Sequence, residues 1–125
     1  MSYPTERTYS LDTPPYIFVG TKPTTVVFGE ERVDVKTWRE VAYVVLKRCN
    51  EEHGERLMYL RNKVIGKVRV IFADNPDGMR RPLKITDDMF METHYGSQTL
   101  MYILVNLILK HTGFDYTNIK IIIRN

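Results

Sequence analysis

The spacing of hydrophobic positions changes several times along the chain, and each change marks an element. Residues 1–23 show no sustained period, and Pro4, Pro14, Pro15 and Pro23 forbid a continuous helix there and disfavour an interior strand. This segment reads as an extended N-terminal arm. Its tyrosines and the run Ile17-Phe18-Val19 are too apolar for a solvated tail, so the arm is expected to pack on its own domain or on a neighbouring subunit. Thr24 to Phe28, the turn Gly29-Glu30-Glu31 and Arg32 to Val35 predict a β-hairpin, because β-branched residues suit strands and the glycine permits the turn. Thr37-Trp38-Arg39-Glu40 fits a capping box. Trp38, Val41, Ala42, Val45, Leu46 and Cys49 then recur at helical spacing, which predicts a helix ending near Glu52.

Gly54 to Asn62 predicts a short second helix with Leu57, Met58 and Leu60 apolar. Gly66 to Phe72 alternates as a strand, with Val68, Val70 and Phe72 facing one way. Asp74-Asn75-Pro76-Asp77-Gly78 is turn chemistry, followed by a basic loop from Met79 to Lys84 and a strand from Met89 to His94. Tyr95-Gly96-Ser97 opens a second long helix. Leu100, Met101, Ile103, Leu104, Leu107 and Ile108 make it apolar over a broad arc, so it is expected to be deeply buried or part of an oligomer interface. Gly113 is placed to stop it, and Ile119 to Arg124 forms a final strand. This order predicts an α+β domain over residues 24–125: a small mixed or antiparallel sheet with two long helices packed on one face, preceded by the arm.

Composition narrows the picture a little. A chain of 125 residues with 43% hydrophobic and 26% charged positions suits one globular domain. No apolar run is long enough to cross a membrane and the N-terminus lacks an apolar signal core, so a cytoplasmic protein with no membrane partner is expected. The single cysteine, Cys49, falls on the apolar face of the first helix and reads as a buried structural thiol. A net charge of +3 favours anionic partners only mildly, so the placement of charge matters more than its sum.

Two places carry candidate chemistry. At Tyr95-Gly96-Ser97-Gln98 a helix start can aim backbone amides at phosphate or carboxylate, with Tyr95 as a stacking surface and Gln98 reading polar edges. The plainer reading is that Ser97 caps the helix and Gly96 allows the turn. Adjacent Arg80 and Arg81 suit bidentate phosphate capture, and Phe90 offers a further stacking ring. Against this, the loop can be a solvated surface, with its basic residues pairing with Asp87 and Asp88. Lys67, Arg69, Arg61 and Lys63, with Arg124 of the last strand, can form a positive surface or an ordinary charged sheet exterior. Asp74, Asp77 and Glu92 have the residue types of a metal-dependent nuclease site, but His94 stands where such sites place a lysine.

Trp38-Arg39-Glu40, the run Arg80 to Ile85, Met91-Glu92-Thr93, Gly113 and the final isoleucine strand together resemble a small α+β domain of phage and bacterial proteins. Some of its members stand alone and some are appended to defence or restriction proteins. The resemblance runs from Val33 through Arg124 and departs at Gly96-Ser97-Gln98, where the family has a serine-alanine-asparagine-like helix opening.

The expected function is non-enzymatic, with no cofactor and no metal. The chain is expected to be a self-associating protein that holds an anionic nucleotide-like ligand, such as a signalling nucleotide sequestered in phage–bacterium conflict. The alternatives are a DNA- or RNA-binding accessory module, a protein–protein inhibitor or assembly module anchored by Tyr3, Tyr9, Tyr16 and Phe18, and a small metal-dependent hydrolase.

Overall fold

The structure is a computed structural model that describes residues 6–65 and 70–124. The chain is α+β, and its pairing is antiparallel throughout the described strands. The strands divide between two sheets of four, where a single sheet was expected from the order of elements.

The first sheet holds β1 (Glu6–Ser10), β2 (Lys22–Phe28), β3 (Glu31–Asp34) and β8 (Ile119–Arg124) in the order β1-β8-β2-β3. The strand from the far end of the chain therefore lies between the two strands nearest the start. The hairpin β2–β3 turns at Gly29, whose φ of +63° favours glycine. From Glu6 onward the arm packs on its own chain: β1 pairs with β8, and a 3₁₀ turn at Pro15–Phe18 buries Phe18 against Trp38, with ring centroids 4.8 Å apart. Pro23 is tolerated in β2 because the register shifts between Pro23 and Thr25.

α1 spans Trp38–Leu60, and Thr37 caps it by accepting the Glu40 amide at 3.1 Å. The Glu40 carboxylate reaches back to the Lys36 amide. The two helices expected at 38–52 and 54–62 are one element broken at His53, where φ −137° and ψ 41° leave the helical region. Val41, Ala42, Val45, Leu46, Cys49 and Leu57 are buried along it.

The second sheet has the order β4-β5-β7-β6, from β4 (Val64–Ile65), β5 (Val70–Ala73), β6 (Pro82–Thr86) and β7 (Met89–Glu92). Residues 66–69, including Lys67, Val68 and Arg69, lie outside the described residues. In β5 the residues Ile71, Phe72 and Ala73 are all buried, so the expected one-sided alternation does not hold there. Pro82 to Lys84, read as loop from the sequence, belongs to β6, which buries Leu83 and Ile85 and exposes Lys84.

α2 (Ser97–Tyr102) continues through wider π-helical turns at Ile103–Ile108 and a 3₁₀ turn at Leu109–His111, and Gly113 ends the run at φ +80°. Its apolar arc is consumed within the chain, where Leu100, Met101, Ile103, Leu104, Val105, Ile108 and Leu109 belong to one core with both sheets and α1. Among the described residues no helix is long and apolar enough to cross a membrane.

Candidate functional site

The loop between β5 and β6 is shaped by its own side chains. Asn75 Oδ1 accepts the Asp77 amide at 3.0 Å, the Met79 amide donates to the Pro76 carbonyl at 3.0 Å, and Gly78 takes a φ of +79°. This reversal brings the Arg80 and Arg81 amides over the end of β7. There the Arg80 amide donates to Glu92 Oε2 at 2.7 Å, and the Arg81 and His94 amides donate to Oε1 at 2.9 and 3.0 Å. Glu92 is 1% exposed. The backbone donors of the basic loop thus already have an acceptor, and that acceptor belongs to the protein.

A second set of bonds fixes the same junction. The Thr93 amide and hydroxyl both donate to the Arg81 carbonyl, at 3.0 and 2.7 Å, extending the β6–β7 ladder. Arg39, in the first turn of α1, donates from Nε to Thr93 Oγ1 at 3.1 Å and from Nη2 to the Pro82 carbonyl at 2.7 Å. Three stretches singled out in the sequence, at Arg39, at 80–82 and at 92–94, therefore meet in one hydrogen-bonded knot. Their meeting explains Glu92 better than metal chemistry does. Both of its oxygens face backbone amides while Asp74 and Asp77 lie exposed on the loop. Among the described residues no three His, Cys, Asp or Glu side chains are placed to hold a metal ion.

The side chains of Arg80 and Arg81 are exposed, and among the described residues neither guanidinium has an ionic partner. Several other cations among the described residues are engaged. Lys84 pairs with Asp87 at 3.0 Å, Arg61 with Asp88 at 3.1 Å, and Lys63 donates to the Tyr59 carbonyl and lies 3.6 Å from the centre of the Tyr59 ring. Arg48 pairs with Glu31 across to β3. Arg124 lies on the first sheet, 3.4 Å from Glu6, and not on the second sheet, whose β5–β6 loop carries Arg80 and Arg81.

At the start of α2 the roles differ from the plain capping expectation. Gly96 is the cap residue, at φ −68° and ψ 168°, and makes no side-chain cap. Ser97 does not cap; its hydroxyl donates to the Phe18 carbonyl at 3.2 Å and ties α2 to the 3₁₀ turn of the arm. Tyr95 is half-buried against the core, and Phe90 is half-buried on β7 beside Ala73 and Lys84.

Gln98 is exposed, and with Thr99, Tyr102, Pro15 and Tyr16 it lines a shallow depression of about 220 Å³. Tyr16 is 63% exposed and Tyr102 48%. Two exposed aromatic rings therefore flank this depression, whereas Tyr95 and Phe90 are half-buried and do not line it. Tyr102 escaped sequence reasoning because it sits inside an apolar helical run. Its signal was the four-residue spacing from Gln98, which puts both on one helix face away from the buried arc.

No family model, curated protein or solved structure matches this chain.

Cys49 takes no part in this surface. It is fully buried, its Sγ donates to Thr112 Oγ1 at 3.7 Å, and burial pushes its thiol up to about 11.

Proposed function

We propose that the protein is a non-enzymatic binding protein for an anionic, nucleotide-like ligand. The base lies against Tyr16 and Tyr102, and the phosphate faces the guanidinium groups of Arg80 and Arg81. The observation that carries this reading is the depression between the arm and α2: two exposed tyrosine rings form walls around the polar side chains of Gln98 and Thr99. Aromatic faces accept any base, and an amide and a hydroxyl beside them can meet its polar edge. The depression is smaller than a typical drug-sized pocket, which suits the base alone with the phosphate outside.

Phosphate capture falls to side chains, since the Arg80 and Arg81 amides serve Glu92. Arg81 is bonded through its carbonyl to Thr93, five residues before Gln98, so the backbone of the basic loop is tied to the segment that leads into the depression.

Isothermal titration of the purified chain with ribonucleotides tests the proposal. Tyr16→Ala and Tyr102→Ala are each expected to weaken binding roughly 5- to 150-fold, the range set by one lost stacking contact. Arg80→Ala with Arg81→Ala is expected to remove the preference for phosphorylated over unphosphorylated nucleosides. Affinity unchanged in both tyrosine variants would refute the reading.

A second reading rests on the same rings. Tyr16, Tyr102 and the 57%-exposed Val19 form an aromatic and aliphatic surface of the kind that anchors protein partners. It predicts that the tyrosine variants lose a protein partner while nucleotides fail to compete for it.

A further inference from the structure

The first sheet has a second face. In β8, Ile119, Ile121 and Ile123 join the core, so Lys120, Ile122 and Arg124 point the other way. The registers carry that outward face across the sheet. On β2, Lys22 lies opposite Arg124, Thr25 opposite Ile122 and Val27 opposite Lys120; on β3, Arg32 lies opposite Val27 and Asp34 opposite Thr25. On β1, Glu6, Thr8 and Ser10 oppose Arg124, Ile122 and Lys120.

The charges on this face are sorted. Lys22, Lys120 and Arg124 occupy the two central strands, and the acids Glu6 and Asp34 sit only on the edge strands, with Arg32 beside Asp34. All six are exposed. Lys22 and Arg124 stand directly across from each other, an arrangement that destabilises an antiparallel pair. Glu6 relieves it only at 3.4 Å from one side. Between the cations lie the hydroxyl residues Thr8, Ser10 and Thr25 together with Val27 and the buried Ile122, and Lys120 Nζ donates to Ser10 Oγ at 3.1 Å. No aromatic ring lies among these positions, so the face offers cations, hydroxyls and two aliphatic side chains without a stacking platform.

We propose that this face binds the phosphate backbone of single-stranded nucleic acid, without sequence preference and separately from the tyrosine depression. A central cationic patch complements a polyanion. Among the described residues this sheet is built of strands alone, with no helix of its own to enter a duplex groove, whereas a flexible single strand can drape over a twisted surface and bring its phosphates to Lys22, Arg32, Lys120 and Arg124.

Fluorescence anisotropy of a labelled oligodeoxythymidine with the full chain decides it. Four phosphate contacts give a slope of log affinity against log salt near −3, so raising salt from about 50 to about 200 mM should weaken binding roughly 50-fold. The double variant Lys22→Ala with Lys120→Ala should bring the slope to about −1.5, and Arg32→Ala alone to about −2. Thermal melting of each variant confirms that it is folded. Tyr16→Ala with Tyr102→Ala should leave oligonucleotide binding unchanged, so this surface and the nucleotide depression fail or stand independently. The proposal is overturned if the unaltered chain does not bind at about 50 mM salt, if a duplex of the same length binds more tightly, or if loss of binding follows Arg80→Ala and Arg81→Ala in place of the sheet variants.

Discussion

A buried carboxylate is tolerated only where donors surround it, and Glu92 meets three backbone amides drawn from two segments. Glu92→Ala leaves those amides without their acceptor and is expected to cost roughly 2–4 kcal/mol, read as a lower urea midpoint at constant slope. A loss under about 0.5 kcal/mol would mean that the loop holds its shape by other means. Cys49 gives a prediction of opposite electrostatic character. Its thiol rises from an ordinary 9.0 to about 11, so above pH 9 the folded chain holds a proton that the unfolded chain gives up. Stability from this group is complete below about pH 9 and falls by roughly 3 kcal/mol as pH passes through 11. Denaturation of Cys49→Ala against pH should lack that decline. The burial of Cys49 was legible in the sequence because helical spacing alone sets which residues face inward. The role of Glu92 was not, because an acid ending an apolar strand looks the same whether it meets a metal or the amides of a distant loop.

Between elements, the tie from α1 to the second sheet runs through one planar group. Arg39 donates in two directions, to Thr93 Oγ1 and to the Pro82 carbonyl, and a lysine ammonium cannot reproduce that fork. Arg39→Lys is expected to cost roughly 1–3 kcal/mol and to speed amide exchange at Thr93 before that of β7; unchanged exchange there would show that the fork is dispensable. After the π-helical and 3₁₀ turns that follow α2, Gly113→Ala forces a β-carbon into φ +80° and should cost about 1 kcal/mol in thermal denaturation, although the added carbon itself meets nothing closer than His53 Cε1 at 3.9 Å. The hairpin β2–β3, the α1 break near His53 and the stop at Gly113 were readable because local chemistry decides them. β6 was missed because Arg80-Arg81-Pro82 looks like loop. Leu83 and Ile85 alternating around Lys84, before the turn at Asp87-Asp88, were the overlooked strand signal.

Over the whole molecule, the division into two sheets could not be read from periodicity, since it depends on which strands pair across the length of the chain. Four isoleucines in β8 announced a buried strand, but not that it would sit between β1 and β2. That position predicts an asymmetry under truncation. Removing residues 6–10 strips one edge strand and should leave a cooperative, weakened unfolding transition by circular dichroism. Removing residues 119–124 deletes two ladders at once and should abolish the transition. The same arrangement governs how the chain is born. β1 and β2 leave the ribosome early, yet their shared partner β8 is made after every other described strand, so neither can complete its ladder until Ile119–Arg124 has emerged. Nascent chains would keep these strands open to chaperones until β8 emerges, and a stall anywhere before Ile119 would hold them there.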